Sequence, residues 1–241
     1  MRFLDYSFRR PEENLAYDEI LLEMAENGRG DETLRVWESH VPFVVLGVSQ
    51  ILRQEVYEQN CLADHIAIMR RCSAGGCVLQ GPGCLNFTLV LAHDRHPDLR
   101  TIRASYCYIL GAISAALARY GISAKHKGVS DIAIRGLKFS GNAQKRRRRH
   151  ILHHGTVLYT LDTQTIARYI REPIDRPQYR GTRDHHGFLT TVPLDPHDLK
   201  LVFCDAFNAD PRPTKPTRNE ILATKNLAKE KYRAYDWIRR R

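Results

Sequence analysis

The sequence is short of several features that would point to a membrane, an exported protein or a metal site. No apolar run reaches the roughly eighteen residues that a membrane-spanning helix needs. Charged residues stand near the N-terminus, where a signal peptide would need an apolar stretch, so we expect a cytoplasmic protein with no membrane partner. The cysteines form no CxxC pair, so no metal site is predicted. Reduced, mostly buried thiols are expected for all six: Cys61, Cys72, Cys77, Cys84, Cys107 and Cys204.

Two common phosphate-binding motifs are also missing. The sequence contains neither GxxxxGK[ST], the motif of P-loop nucleotide-binding proteins, nor the GxGxxG fingerprint of dinucleotide-binding domains. It has no internal repeat and no low-complexity segment. Any nucleotide site must therefore be built from other residues.

The composition is that of a globular protein with a strongly basic surface. Of the 241 residues, 43% are hydrophobic and 27% are charged, and the formal net charge is +10. This charge indicates an anionic partner, for which nucleic acid, ATP and an acidic protein domain are all candidates. The densest cluster runs from Lys145 to Arg149, followed by His150. A solvated hairpin tip is the plainest interpretation of such a run.

Hydrophobic periodicity predicts two long helices and a larger number of strands. The helices cover residues 11–27 and Leu99–Tyr120, and both are followed by glycine. The strands are predicted at 34–38, 42–47, 66–70, 86–92, 131–135, 137–141 and 150–162. Because several strands are consecutive, the pattern favours an α/β (α+β) fold, in which helices flank a mixed β-sheet.

The C-terminal part of the sequence predicts shorter elements. Asp162 is placed to cap a helix through Ile170, and Thr217 with Glu220 has the spacing of a capping box. A proline-rich stretch separates the two, and the one boundary lies near Pro211 to Pro216. We therefore predict a main domain at residues 1–210 and a helical tail at 211–241.

A glycine-bearing loop follows the strand at 66–70. In MRRCSAGGCV, Arg70 and Arg71 lead into Ser73, Gly75 and Gly76. Glycine lets the backbone approach a phosphate or an acyl chain closely, and its amides can bind an anion. A pair of hairpin turns with surface arginines would explain the same residues.

Two further segments carry polar chemistry. In GLKFSGNA, Lys138 lies between Gly136 and Gly141, where its ammonium could neutralise a carboxylate and a phosphate together. An exposed strand lysine is the alternative. In HHGTVL, adjacent strand residues point to opposite faces, so at most one of His153 and His154 can face a site.

In this order, the three segments resemble the motifs of the lipoate-protein ligase A family. Its RRxSGGGxV motif, its lysine in K-x-S-G-x-A and its HGT correspond to RRCSAGGCV, KFSGNA and HHGTVL. NLAYDEILL near the start and KYRAYDWI near the end are also similar to the family. The resemblance implies the fold shared by biotin and lipoate ligases, a mixed sheet flanked by helices.

The resemblance also implies a reaction. Lipoate or octanoate would be activated by ATP, with Mg²⁺, to an acyl-AMP and then transferred to a lysine of an acceptor domain. Lys138 would be the catalytic residue, and an apolar tunnel near Val44, Leu46 and Val78 would take the acyl chain. The residues implied for binding ATP, the acyl-adenylate and lipoate are Arg70, Arg71, Ser73, Gly75, Gly76, Cys77, Val78, Leu79, Asp131, Lys138, Gly141, Ala143, His154, Gly155 and Thr156.

The implied partner is an acidic lipoyl-acceptor domain, of the 2-oxoacid dehydrogenase E2 or glycine cleavage H protein type. Three departures from the family pattern are present. Ala74 replaces a glycine, Gln80-Gly81-Pro82-Gly83 replaces a His-Asp turn, and the residues after Pro196 are too few for most accessory domains. A separate accessory subunit, or an enzyme that works without one, is then implied.

Rival functions remain open. An octanoyltransferase or lipoyl amidotransferase of the same fold would need a cysteine nucleophile and no ATP. The stretch from Gly121 to Leu137, upstream of the lysine, contains no cysteine, and Cys204 lies in an apolar setting. A non-catalytic lipoate-binding relative is a second alternative. A nucleic-acid module using the basic run is disfavoured, because interleaved aromatic residues are missing.

Overall fold

The computed structural model describes residues 1–241, and strands form its centre. In chain order the strands are β1 (Arg2–Asp5), β2 (Thr33–Trp37), β3 (Phe43–Leu46), β4 (Ala67–Arg70), β5 (Val78–Gln80), β6 (Cys84–Ala92), β7 (Ala124–Lys127), β8 (Asp131–Ile134), β9 (Leu137–Arg146) and β10 (His150–Leu158). Seven of them form one sheet in the order β1-β2-β6-β10-β9-β8-β7, and β4-β3-β5 form a second. Only the β1–β2 and β3–β4 pairs are parallel. The predicted mixed sheet is confirmed.

Nine α-helices surround the two sheets. They are α1 (Pro11–Glu26), α2 (Leu52–Glu55), α3 (Glu58–Ala63), α4 (Ile102–Arg119), α5 (Thr163–Tyr169), α6 (His185–Phe188), α7 (Pro196–Phe207), α8 (Arg218–Leu227) and α9 (Tyr235–Ile238). Short 3₁₀ turns lie at Pro97–Arg100 and Gln178–Arg180, and a π-helical turn at Ala228–Tyr232 joins α8 to α9. No helix is both long enough and apolar enough to span a bilayer.

The two faces of the large sheet are covered differently. On one face α4 and α7 pack over the largest apolar cluster, which includes Phe87, Ile113, Phe139 and Phe203. On the other face α1 covers only part of the sheet, through a smaller cluster that includes Tyr17. The uncovered part of this second face is where the polar residues collect.

The C-terminal residues pack back onto the N-terminal half of the chain. Arg2 bonds to Glu220 of α8 at 2.5 Å, and the Leu52 amide donates to the Arg241 carbonyl at 3.1 Å. The Thr217–Glu220 capping box is present, as predicted. The division at Pro211 remains a prediction, because these contacts neither require nor exclude it.

Several short elements were not predicted. β1, β5 and β7 have three or four residues each, too few to show a period. Helix α7 was missed although Asp195 caps it and Pro196 occupies its first turn. The expectation that all six cysteines are mostly buried was wrong for Cys107, which is exposed on α4 beside the buried Tyr106.

Candidate functional site

A row of paired residues crosses five strands on the open face of the large sheet. Trp37 of β2 pairs with Asn86 of β6, which pairs with Thr156 of β10. Thr156 pairs in turn with Gly141 of β9, and Gly141 with Asp131 of β8. Directly paired strand residues point to the same face. The row therefore forms a continuous floor that runs from an indole ring to a carboxylate.

A second row runs beside the first, but α1 covers it. Arg35, Thr88, His154 and Ala143 are paired across the four strands β2, β6, β10 and β9. Above them Asp18 of α1 accepts from Arg35 at 2.7 Å and bonds to His154 Nδ1 at 3.2 Å. The second row is thus held by buried polar contacts to Asp18, whereas the residues of the first row line the cavities described below.

A β-bulge brings Lys138 to the open face. Asp131 and Ile132 pair with Gly141 and Ser140, but Ala133 pairs with Lys138, so Phe139 is the extra residue on β9. Without this extra residue Lys138 would point into the core, because side chains alternate along a strand. Phe139 packs into the apolar cluster under α4 and α7 instead.

One acidic contact and a glycine hold the Lys138 ammonium over the floor. Its Nζ lies 2.7 Å from Asp131 Oδ1, while Tyr179 donates to Asp131 Oδ2 at 2.8 Å. A Cβ atom at Gly141 would lie 3.0 Å from both Cε and Nζ of Lys138. Gly141 is therefore needed for the lysine to cross it. Burial raises the pKa of Tyr179, which keeps its hydroxyl protonated as the donor.

The glycine-bearing loop is tied to the second row. Arg71 donates to Ser73 Oγ at 2.9 Å and to the carbonyls of Ala74 and Gly76 at 2.7 and 2.8 Å. Ser73 Oγ also lies 2.6 Å from His154 Nε2. Gly75 adopts a φ of +90°, a conformation that favours glycine. The loop shape is thus set by an internal arginine and anchored by a histidine.

Arg70 and Arg71 are neighbours with different surroundings. Arg70 is fully buried and donates to the carbonyls of Gly47, Gln50 and Ile238 at 2.7 to 3.0 Å. It lines neither cavity described below. These hydrogen bonds connect the loop after β3 to the C-terminal residues. Because Arg70 lines neither cavity, a ligand bound in them would not contact it.

Two cavities meet at Lys138. A narrow cavity of about 90 Å³ is lined by apolar and polar residues that include Leu15, Trp37 and Val78. A larger cavity of about 710 Å³ is lined by Arg171, Arg176 and Arg180, among others. Lys138 lines both, together with Gly76, Cys77, Val78, Ser130, Gly141 and Thr156.

Most of the residues implied by the sequence come together at these cavities. Those that line at least one cavity are Arg71, Gly75, Gly76, Cys77, Val78, Leu79, Asp131, Lys138, Gly141, Ala143, His154, Gly155 and Thr156. Arg70 and Ser73 line neither. Val44 and Leu46 were expected in the acyl tunnel, and this was wrong: both belong to a separate buried cluster under α2 and α5.

The structure adds residues that sequence reasoning missed. Asp18, Trp37, Gln80 and Asn86 line the narrow cavity, and Arg171, Arg176 and Arg180 line the large one. A charged residue on the apolar stripe of α1 was the available signal for Asp18. The remaining residues lie in no recognisable motif. In a sequence, a polar or aromatic residue within a strand and an arginine in a loop cannot be distinguished from residues that have no role in a site.

The two adjacent histidines lie on opposite faces, as strand alternation requires. His154 lines the narrow cavity, whereas His153 packs between Phe87 and Tyr106. Burial lowers the pKa of His153 to about 3, so it stays neutral. Gly155, which follows the two histidines, leaves room for Asn142, whose Oδ1 would lie 2.0 Å from a Cβ added at Gly155.

The cysteines do not resemble activated nucleophiles. Only Cys77 lines the cavities, and burial raises its pKa far above the ordinary value. Burial also raises the pKa of Cys204 to about 11. Neither thiol would be ionised near neutral pH, and the thiolate is the nucleophilic form.

The basic run lies at the tip of the β9–β10 hairpin, and none of its residues lines either cavity. Lys145 bonds to Glu19, and Arg147 bonds to Glu23. Arg149 donates to the Glu26 carbonyl. The tip is therefore attached to the acidic side of α1, and it does not border the larger cavity.

No cluster of three or more histidine, cysteine, aspartate or glutamate residues could hold a metal ion by itself. Both Asp131 oxygens are engaged by Lys138 and Tyr179. Glu55 and Asp175 are the other carboxylates that line the large cavity. Burial, with Asp175 adding negative charge, raises the pKa of Glu55. Two carboxylates that repel each other suit a cation that also binds phosphate.

Comparisons with known proteins identify the family of this chain. A family model described as the lipoyl protein ligase A/B catalytic domain matches residues 10–192. The octanoyltransferase LipM of Halalkalibacterium halodurans is 24% identical over 98% of this chain and 97% of its own length. A putative lipoate-protein ligase A of Aeropyrum pernix is 27% identical over 80% of this chain and 67% of its own length.

Solved structures share the fold. A bipartite lipoate protein ligase from Thermoplasma acidophilum, described with its E2 lipoyl domain, aligns with a TM-score of 0.85 and 22% identity, over 99% of this chain and 95% of its own. A lipoate-protein ligase A bound with ATP aligns with a TM-score of 0.84 and 21% identity, over 99% and 98%. The match of the family model over most of the sequence shows that this chain belongs to the lipoyl protein ligase A/B family and is an enzyme of that family.

Proposed function

We propose that this protein is an ATP-dependent lipoate-protein ligase. It would activate lipoate to lipoyl-AMP and transfer the lipoyl group to a lysine of an acceptor domain. One observation carries the proposal: Lys138 lies where a narrow cavity meets a large cavity lined by arginines. Such a position allows one ammonium to contact both a carboxylate and a phosphate.

The narrow cavity suits the acyl chain. Its walls include Leu15 and Val78, and we take its mouth to be at Lys138, where it meets the large cavity. A carboxylate placed at the mouth would exchange the Asp131 contact of the lysine for its own. The apolar walls exclude water from the chain, which is the main source of affinity for such a ligand.

The large cavity suits a nucleoside triphosphate. Its arginines offer fixed positive charge, and Arg180 is itself oriented by Glu172 at 2.5 Å. The ATP-bound ligase neighbour has the same fold, which supports a nucleotide here. Mg²⁺ held by Glu55, Asp175 and the phosphates would neutralise part of the triphosphate charge when bound.

The reaction would then need two displacements. A carboxylate oxygen attacks the α-phosphorus, the bond to the bridging oxygen breaks, and pyrophosphate leaves. The amine of the acceptor lysine next attacks the acyl carbon, loses a proton and releases AMP. Lys138 offsets the repulsion between the two anions in the first step and stabilises the charge that builds on the phosphate.

A second candidate is an acyltransferase that uses no ATP, since relatives named octanoyltransferase LipM match this chain over nearly its full length. Such an enzyme would need a thiol, and Cys77 is the one that borders both cavities. Its raised pKa disfavours that role, and the large cavity would have no ligand to fill it.

The deciding experiment supplies ATP, lipoate and an E2 lipoyl domain. We expect release of pyrophosphate and AMP and a lipoylated acceptor, with Cys77→Ser retaining activity within about tenfold of the wild type. Acyl transfer from an octanoyl thioester without ATP, abolished by Cys77→Ser in a folded variant, would support the transferase instead.

The acceptor is expected to be acidic, because the enzyme carries a net charge of +10. The bipartite neighbour, described with its E2 lipoyl domain, supports this class of acceptor and an accessory subunit. The glycine cleavage H protein is the other acceptor to be tested. Adding a purified candidate accessory subunit to the same assay would show whether one is required.

A further inference from the structure

Three buried polar atoms at one end of the narrow cavity have no hydrogen-bond partner. They are the indole nitrogen Nε1 of Trp37 and the amide oxygens of Gln80 and Asn86. All three residues line the narrow cavity, and none lines the large one. They therefore lie at the end of the narrow cavity that is remote from the large cavity. The tail of an acyl chain bound in the narrow cavity would lie at this end.

The three groups come from separate strands. Trp37 and Asn86 are paired across β2 and β6, and Gln80 ends β5 of the second sheet. Each is at most 6% exposed, so bulk water does not satisfy them. A buried polar group without a partner is uncommon in native proteins and destabilising by about 1–3 kcal/mol. Three around one cavity indicate a ligand that bonds to them.

The chemistry of the three atoms defines that ligand. One is a donor and two are acceptors. A methyl group at the end of a hydrocarbon chain can satisfy none of them and would displace any water that does. A disulfide sulfur can accept weakly from the indole N–H. A dithiol can also donate its S–H groups to the two amide oxygens.

We propose that Trp37, Gln80 and Asn86 select a sulfur-bearing acyl chain over a plain hydrocarbon chain, and that the dithiol form binds most tightly. The order of affinity would be dihydrolipoate, then lipoate, then octanoate. This inference rests on the proposed function only in taking the narrow cavity as the acyl site. It names a substrate class that the family leaves open between its ligase and transferase branches.

The test is calorimetric titration of the full-length protein with each of the three acids, under argon with a phosphine reductant for the dithiol. No nucleotide is needed for this measurement. We expect dihydrolipoate to bind about tenfold more tightly than octanoate, with lipoate between them. Equal affinities for octanoate and dihydrolipoate would overturn the proposal.

Two substitutions assign the effect to the named groups. Trp37→Phe removes the N–H but keeps an aromatic ring, and Gln80→Met keeps the length of the side chain but removes the carbonyl. Each should narrow the ratio between dihydrolipoate and octanoate by about threefold or more. The control Leu15→Met changes an apolar wall residue and should shift all three affinities by a similar factor. Unchanged ratios in both folded test variants would contradict the assignment.

Failure of the ligase proposal would look different. A protein that never releases pyrophosphate but binds the acids in the expected order would refute ATP-dependent activation and leave this inference standing. A protein that adenylates octanoate and dihydrolipoate with the same kcat/KM would refute the inference and leave the ligase proposal standing.

Discussion

The two ends of the β9–β10 hairpin both carry positive charge, but they hold it in different ways. At the tip, three of the five residues from Lys145 to Arg149 bond to the acidic side of α1: Lys145, Arg147 and Arg149. At the base, a single lysine, Lys138, lies over a glycine between two cavities and is 27% exposed. The several charges at the tip hold the hairpin against α1 within the fold. The single charge at the base, Lys138, belongs to the proposed site.

The surroundings explain this difference. Glu19 accepts from Lys145, from Lys231 at 2.7 Å and from the Tyr232 hydroxyl at 2.8 Å, so the tip charge is neutralised inside the fold. Asp131 also pairs with Lys138, but beside open cavities, where an incoming carboxylate or phosphate can replace it. A cation can act on a ligand only where its partner can be exchanged.

Removing the lysine at the base should have the largest effect. We expect Lys138→Ala to slow pyrophosphate release with lipoate and ATP by about a hundredfold or more, since loss of one electrostatic donor costs about 2.7–4 kcal/mol of transition-state stabilisation. Lys138→Arg should restore activity only in part, because a planar guanidinium cannot replace a compact ammonium. A Lys138→Ala enzyme with a normal melting curve and near wild-type adenylation would show that another group does this work.

Displacing the lysine without removing it should have the next largest effect. In Gly141→Ala the new Cβ would lie 3.0 Å from Cε and Nζ of Lys138, so the ammonium must move. We expect adenylation to fall about tenfold or more, because small displacements of catalytic groups are costly. Gly136→Ala is not a fair control, since Gly136 has a φ of +78°. Gly111→Ala is a better one, because that position has open space and lies on α4. Equal activity of Gly141→Ala and wild type would mean that the lysine is not held as tightly as the structure indicates.

Removing the Glu19 carboxylate, which pairs with Lys145 at the hairpin tip and with Lys231, should affect stability more than activity. We expect Glu19→Gln to lower the free energy of unfolding by about 2–3 kcal/mol, because the partly buried ammonium groups of Lys145 and Lys231 lose their counter-charge. Burial alone would raise the pKa of Glu19, but hydrogen bonds from Lys145 and Lys231 outweigh it and lower the pKa. A carboxyl group whose pKa is lowered by folding stabilises the protein fully at pH values above its unfolded-state pKa of about 4.3. This stabilisation is lost as the pH falls through the folded-state pKa.

Urea unfolding of Glu19→Gln and wild type at several pH values checks this. The difference between the two proteins should be constant near neutral pH and should shrink below about pH 4. Adenylation should change by less than about threefold at neutral pH, as the site is not touched. A difference in stability that does not depend on pH would mean that packing, and not charge, holds the tip.

The smallest effect is expected at Arg148, which takes part in no ion pair of the structure, unlike Arg147 beside it. Arg148→Gln should leave adenylation unchanged and raise the KM for the acceptor by about twofold at low salt, with no difference at high salt. Arg148→Lys retains the charge and is the control. A large effect on adenylation would place the tip nearer the nucleotide than the structure does. Arg146 is a less suitable position for this test, because it turns inward and donates to the Leu99 carbonyl at 2.5 Å.

The sequence was informative where a single segment carries the signal. The C-terminal ends of α1 and α4 followed, each to within one residue, from the apolar period and the glycines beyond them. The start of α4 was placed at Leu99, three residues too early, because a 3₁₀ turn precedes the helix. The sheet followed from its consecutive strands. The glycine-bearing loop, the lysine and His154 were recognised because each lies within a short motif. These are local properties, and local properties can be deduced without coordinates.

The sequence was silent where residues meet from distant strands. The bulge that turns Lys138 to the open face depends on one extra residue, Phe139, and on register with β8, which no single strand reveals. The polar groups of Trp37, Gln80 and Asn86 look like ordinary buried strand residues until the sheets are assembled. The three cavity arginines lie in a segment with little periodicity.

The bonds that end at Glu19 also bear on how the chain matures. Two of its partners, Lys231 and Tyr232, are 212 and 213 residues away in the sequence. The ion pair between Arg2 and Glu220 likewise joins the two ends of the chain. During synthesis α1 would leave the ribosome long before these partners are made. The Glu19 carboxylate, which is buried in the folded protein, would then still be unpaired. Contacts so distant in sequence form slowly. We therefore expect the N-terminal helix to reach its final packing only after Lys231 and Tyr232 have left the ribosome, and chains that stop before residue 228 to accumulate as aggregation-prone intermediates.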